Sequence, residues 1–215
     1  QVTMDVTFTG SWYDETAEKE AAQKLIQNGA VLVSQHADSM GAPTACESAG
    51  VPNVSYNGST ESACPNTFIV SSRINWAPYL EHCIEAVRDG KTIEPDWTGT
   101  LSDNSVLLTD FGQKATAEGT ADAVEKAKKA IEDGSVHVFD VNTFTVTVTE
   151  DKNKNAKVDA DGHLTSYMAD VDTDAAYTPD KEVVSDGYFH ESEYRAAPYF
   201  DVQIDGINLL DVNFG

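Results

Sequence analysis

The chain has 215 residues, 36 of them acidic against 14 basic, and a formal net charge of −22. That balance excludes nucleic acid and anionic membrane surfaces as partners, because both need a basic face. The length allows one large domain or two small ones with a proper core, and no run of about twenty apolar residues marks a membrane span.

Residues 2–9 alternate Val, Met, Val and Phe with polar residues, which predicts a strand. Gly10 and Ser11 turn the chain into Trp12, Tyr13 and Asp14. Over 16–27, Ala17, Ala21, Ala22, Leu25 and Ile26 recur at helical spacing, and Asn28-Gly29 stops the helix. A buried strand is expected at 30–33. Gln35, His36, Asp38 and Ser39 then fall where that strand gives way to a short helix, 43–49, ended by Gly50. Residues 51–56 predict a third strand that closes on Asn57-Gly58, and 67–71 a fourth. A helix over 76–88 carries the stripe Trp76, Leu80, Cys83, Ile84 and Val87, with Pro78 in its first turn, where a missing N–H costs nothing.

This alternation with tight loops predicts an α/β fold, a parallel sheet flanked by helices. Such a sheet presents its strand ends to one edge, where ligands bind. After Gly90 the pattern changes. Short strands are expected at 97–100 and 105–110, an amphipathic helix at 119–133 and antiparallel strands within 136–171, where 136–149 is a long β-branched alternation. A polar turn is expected at 151–162. The remainder is acidic and irregular, with Tyr177, Tyr188, Phe189, Tyr194, Tyr199 and Phe200 expected to wrap the surface or cover a sheet edge. The expected organisation is thus a ligand-binding α/β lobe over 1–100, and over 101–215 a crossover with a β-rich C-terminal extension.

Candidate chemistry gathers at the strand ends. Trp12 offers an aromatic face that would stack a flat ligand. His36 and Asp38 form a His-x-Asp pair, but no nucleophile motif of the GxSxG, SxxK or HExxH kind accompanies them. The pair is therefore read first as binding machinery, then as structure, and last as a catalytic base. Ser39, Tyr56, Asn57 and Trp76 complete the candidate set; Asn57 also suits an Asn-Gly turn and Trp76 a helix core. Asp151, Asn153, Asn155, Asp159 and Asp161 mimic a calcium loop, yet they lack the central Gly and final Glu of an EF-hand. No metal and no cofactor is expected. Cys46 and Cys64 bracket a loop that a disulfide could close, and Cys83 is expected to be a buried thiol.

Gly10-Ser11-Trp12-Tyr13-Asp14, Glu20-Ala21-Ala22, Leu25-Ile26, Gly29-Ala30-Val31, Gln35-His36-Ala37-Asp38-Ser39, Asn75-Trp76-Ala77-Pro78-Tyr79, Asp89-Gly90, Trp97 and Gly99 together resemble the basic membrane protein family. These are substrate-binding lipoproteins of ABC importers, related to bacterial purine nucleoside receptors. The resemblance runs through most of residues 1–140. It implies a type I periplasmic-binding-protein fold, of which this chain matches the second lobe, so that the first lobe is missing and the chain is a fragment. It further implies an extracytoplasmic, lipid-anchored whole protein that delivers a nucleoside, purine base or similar heteroaromatic solute to an ABC permease, without catalysis. Trp12 matches the family aromatic that stacks on the base. Asn57 stands where those receptors use an Asp for ribose hydroxyls, their Lys falls near Ile74 and is unmatched, and their Gly-Gly run is replaced by His36-Ala37-Asp38. The alternatives are a surface or adhesion lipoprotein without a transported ligand, and a hydrolase using His36 and Asp38. A single lobe offers half a pocket, so weak binding by this chain alone is expected.

Overall fold

The structure is a computed structural model that describes residues 2–172, 174–176, 178–191, 193–194 and 199–210. Its first strand, β1, is Met4–Val6, and helix α1 follows at Glu15–Gln27. Asp14 caps α1: its extended backbone lets Oδ1 accept the Ala17 N–H at 2.9 Å, and Glu18 Oε1 reaches back to the Asp14 N–H at 2.9 Å. Two orphan donors of the first turn are satisfied reciprocally. Helix α2, Gly41–Ala49, ends at Gly50, whose φ of 69° gives the left-handed C-cap. Gly41 is required by close approach. A Cβ there would stand 2.2 Å from the Glu15 carbonyl oxygen, so α2 starts hard against the first turn of α1.

The chain forms two compact units. One comprises Gln1–Trp76, Asp103–Lys126 and Asn208–Gly215, the other Ala77–Ser102 and Ala127–Ile207. The division is therefore not one cut near residue 100: the chain leaves the first unit at residue 77 and returns to it at 103.

The first unit holds a four-stranded sheet. Strands β2 (Val33–Ser34), β3 (Asn53–Tyr56) and β4 (Phe68–Ile74) run parallel, and β5 (Val106–Leu108) closes the order β2-β3-β4-β5 antiparallel to β4. The α/β class and the parallel sheet are as expected, but β1 is not part of it. The expected strand at 30–33 is also shorter. Val33 is buried, whereas Val31 and Leu32 are 83% and 50% exposed. The core on this side is small: Ala22, Val33, Ala42, Ala45 and Cys46, with Ile26 and Val51 against it. Beside it lies a buried polar ladder. Asn53 Nδ2 donates to Thr67 Oγ1 at 3.1 Å, the Ser55 and Thr60 hydroxyls pair at 3.0 Å, and Cys64 Sγ donates to the Thr60 carbonyl at 3.2 Å. Cys46 and Cys64 are free thiols, not a disulfide. Burial, with Cys64 nearby, pushes the Cys46 thiol up to about 11.

The second unit carries α3 (Ala77–Arg88) and most of the β extension. The stripe expected to bury α3 faces outward: Leu80, Ile84 and Val87 are exposed, Cys83 is half-buried, and Ala86 is the buried position. The helix packs instead through Tyr79 and His82, whose rings lie 5.5 and 6.2 Å from Trp97, while His82 Nε2 meets Glu94 at 2.8 Å. Residues 97–100, expected as a strand, form none, and Trp97 serves as this packing surface. Helix α4, Thr120–Glu132, matches its expected span.

Beyond α4, residues 136–149 do not form the expected strand; their regular structure is a one-turn 3-10 helix at Val141–Thr143. Side chains supply the partners a ladder would have supplied. Asp140 Oδ1 accepts the Asn142 N–H at 2.9 Å, Asp205 accepts the Thr147 N–H and the Thr145 hydroxyl at 3.1 Å each, and Asn153 Nδ2 donates to the Thr147 carbonyl at 3.0 Å. Such local bonds compete with strand pairing. The polar stretch 151–162 contains β6 (Ala156–Val158), antiparallel to β7 (Leu164–Ala169), which pairs in turn with β8 (Lys181–Glu182). A tight hairpin joins β9 (Val184–Ser185) and β10 (Tyr188–Phe189) through Asp186 and Gly187 at positive φ.

The tail aromatics do not wrap a surface. Phe189 and Tyr199 are buried with Val146, Leu164, Tyr167 and Val183, and Phe200 packs against them. Tyr194 is exposed, and Tyr177 lies outside the described residues. The last strand, β11 (Ile207–Leu209), pairs with β1; Asn208 Nδ2 donates to Asp5 at 2.9 Å and the Leu210 N–H to the Val6 carbonyl at 2.8 Å. No helix among the described residues is long and apolar enough to cross a membrane.

Candidate functional site

The parallel strands β2, β3 and β4 send their carboxyl ends to one edge of the first unit's sheet. His36, Asn57 and Trp76 each follow one of these ends within two residues. The segment after β1 joins the same edge through its backbone: the Asp38 N–H donates to the Trp12 carbonyl at 2.9 Å. Trp12 is held there by a turn in which Ser11 Oγ accepts the Tyr13 N–H at 3.2 Å and donates to the Tyr13 carbonyl at 3.1 Å. The indole itself is 75% exposed.

Behind this edge lies a cavity of about 660 Å³. Met4, Val6, Phe8, Leu25 and Val33 make its apolar wall, and Trp12, Gln35 and His36 contribute to its lining. Among the described residues the lining includes Asp5 and Glu18 and no Lys or Arg. An anion entering it would meet like charge and find no cation. The wall is mostly apolar with a few polar groups, the usual make-up of a small-molecule pocket.

The seven residues picked from the sequence have different positions. Trp12 and His36 line the cavity. Tyr56 adjoins them, its ring stacked on His36 at 5.3 Å and 24°. The exposed Asp38 contributes its backbone N–H to the edge, and among the described residues no hydrogen bond joins its carboxylate to the His36 ring. That leaves the hydrolase alternative without its base–orienter contact. Asn57 takes the left-handed turn conformation, φ 68°, and its N–H donates to the Ser72 carbonyl at 2.6 Å. Trp76 is exposed at the end of β4 rather than packed in a helix core.

Ser39 is a structural tie. It is buried, its hydroxyl donates to Glu18 Oε2 at 2.6 Å, its N–H meets the same oxygen at 3.2 Å, and its Oγ accepts the Gly41 N–H at 3.1 Å. Glu18 is the residue that sequence reasoning missed. It is 3% exposed, and its two oxygens clamp the Trp12–Asp14 turn to the segment after β2. The signal was present as an Asp with a Glu four residues later at a helix start, a close variant of the capping box. Gln35 holds the Ser39 carbonyl through Nε2 at 3.3 Å, while its buried Oε1 has no hydrogen-bond partner among the described residues. Among the described residues no group of three or more His, Cys, Asp or Glu is placed to hold a metal.

Several known proteins are similar to this chain. A curated protein of Haloferax volcanii, named provisionally as an ABC transporter glucose-binding protein, is 23% identical over 144 residues, 67% of this chain and 37% of that protein. A purine-binding protein of Brucella abortus is 29% identical over 85 residues, 40% of this chain and 24% of that protein. The chain thus spans well under half the length of the curated relatives it matches. Solved solute-binding proteins of ABC transporter systems from Conexibacter woesei and Aeropyrum pernix align at TM-scores of 0.48 and 0.49 with 21% and 18% identity. They cover 60% and 66% of this chain, which in turn covers 44% and 48% of theirs. The family model for PnrA-like ABC transporter substrate-binding proteins matches residues 1–135. That span contains the parallel sheet, the cavity and every residue of the strand-end edge, and the chain belongs to this Bmp family of substrate-binding proteins.

Proposed function

We propose that this chain is the ligand-contacting lobe of an extracytoplasmic solute-binding protein that serves an ABC importer, and that its solute is a purine base, a nucleoside or a similar neutral heteroaromatic molecule. One observation carries the reading: an exposed indole and a stacked His36–Tyr56 pair stand at the carboxyl edge of a parallel sheet, over a largely apolar cavity with no Lys or Arg among the described residues of its lining. Trp12 would stack on the ring. His36 and Tyr56 would bound its edge, and Asp38, Asn57 and Trp76 would meet the solute from the neighbouring strand ends. Glu18 and Ser39 fix the Trp12 turn rather than touch the ligand. The family role is capture and delivery, so closure on the solute shifts a conformational population that the permease reads. The relative named for purine binding supports the heteroaromatic class.

A sugar is the second reading, favoured by the relative named for glucose binding, because an aromatic face stacks a pyranose as well as a purine. A thermal-shift screen of the complete two-lobe binding protein with adenine, guanosine, glucose and a panel of amino acids separates the two, since any ligand that binds the folded state raises the midpoint. A shift with a purine compound that disappears in Trp12→Ala supports the proposal. A shift with glucose alone replaces it with the second reading, and no shift with any heteroaromatic compound overturns the purine assignment.

A further inference from the structure

The family match ends at residue 135, and a hairpin much later in the chain carries a second constellation of polar side chains. His190 is fixed from every side. Its backbone N–H donates to the Val183 carbonyl at 2.9 Å, and its carbonyl accepts the Tyr199 hydroxyl. Its ring stacks on Tyr188 at 3.9 Å, and Tyr188 stacks in turn on His137 at 3.7 Å and 3°. Nδ1 of His190 pairs with Glu193 Oε2, and Nε2 lies 2.9 Å from Ser185 Oγ.

An ionised carboxylate only accepts, so Nδ1 carries the proton that meets Glu193. Nε2, when it carries no proton, has the lone pair that accepts the Ser185 hydroxyl. Ser185 is exposed on β9, one residue before the Asp186-Gly187 turn, so its oxygen is open to an incoming molecule. This is the order of contacts of a serine nucleophile, a general base and an orienting carboxylate, recognised by geometry rather than by sequence position. Asp186 Oδ2 is a second acceptor for the Ser185 hydroxyl, at 3.4 Å. Together with Glu191 and Glu193 it makes the surroundings acidic, which turns away anionic substrates.

We infer that Ser185, His190 and Glu193 form an acyl-accepting serine site in the C-terminal extension, suited to small, uncharged carboxylic esters and independent of the solute site. In the reaction Ser185 Oγ bonds to the ester carbonyl carbon as its proton passes to His190 Nε2. The carbon–alkoxide bond then breaks, and the alcohol leaves with that proton. Water, deprotonated by the same Nε2, attacks the acyl group; the acyl–Oγ bond breaks, the acid departs and Ser185 recovers its proton. Glu193 keeps the ring in the right tautomer throughout.

The test is labelling of the intact chain with a fluorophosphonate, in which the Oγ–P bond forms, the P–F bond breaks and fluoride leaves with the serine proton, followed by peptide mapping by mass spectrometry. The expected result is a label on Ser185 in the native chain, slowed roughly 10²-fold or more in His190→Gln, the size of a general-base contribution. Glu193→Gln is expected to slow it less, and p-nitrophenyl acetate hydrolysis is expected to vanish in Ser185→Ala. An unlabelled native chain overturns the inference, since that measurement needs no variant to fold. Equal labelling of the native chain and His190→Gln, or label on other serines only, overturns it too.

Discussion

The two units bury different things. The first has a core of alanines, Val33 and a thiol beside a hydrogen-bonded polar ladder, and it leaves Trp12, Leu32 and Trp76 outside. The second closes over Leu164, Tyr167, Val183, Phe189 and Tyr199. The second unit takes Tyr167, Phe189 and Tyr199 into its core, whereas the first buries Phe68 and presents Trp12 and Trp76 at a strand edge. The first unit offers exposed aromatic faces at its strand edge, while the second leaves the aliphatic stripe Leu80, Ile84 and Val87 of α3 outside its aromatic core.

Four measurements sharpen or break this contrast. Phe189→Ala removes a fully buried ring and is expected to destabilise the second unit by about 3–5 kcal/mol, read as lost amide protection in β7 and β10. Equal loss in α1 and α2 would show instead that the two units unfold as one. Glu18→Ala strips the Asp14 and Ser39 donors of their acceptor and is expected to cost about 2–3 kcal/mol, with protection falling at the Trp12–Asp14 turn. A change within about 0.5 kcal/mol, the range of ordinary surface substitutions, would remove Glu18 from the architecture of the site.

The third measurement concerns pH. The carbonyls of Phe144 and Val141 accept from the His163 ring, and Asp159 and Asp161 lie near, so its pKa is raised. A raised folded value means that the stabilisation is complete below the unfolded value of about 6.5 and fades as pH climbs through the folded value. The melting midpoint of the second unit is expected to fall over that window in the native chain and to lose this component in His163→Gln. The smallest effect is Trp12→Ala on stability. The indole is largely exposed, so a denaturant midpoint should move by less than about 0.5 kcal/mol while solute binding is lost.

Helices α1, α2, α3 and α4 and the parallel strands were legible because period, capping residues and Gly stops agree along 14–88 and 119–133. The rotation of α3 was not. An apolar stripe at Leu80, Ile84 and Val87 looks like a buried face, and the preference of Trp97 for Tyr79 and His82 is a long-range choice. The β-branched run 136–149 misled for a related reason: Asp205, more than fifty residues downstream, takes the hydrogen bonds a neighbouring strand would have taken. At the site, the types of Trp12 and His36 announced themselves. Ser39 and Glu18 did not, since whether a polar group faces a ligand or another side chain depends on a partner 21 residues away.

The pairing of β1 with β11 has a kinetic meaning. Asp5 and Asn208 meet across 203 residues, among the most distant contacts a chain of this length can make. Contacts of such separation close late, because the intervening chain must be ordered or collapsed first. As these residues emerge during synthesis, β1 can pair with β11 only after the whole aromatic unit has appeared. Until then Met4, Val6 and Phe8 are covered by nothing that β11 supplies, and early handling of the nascent chain falls on that segment.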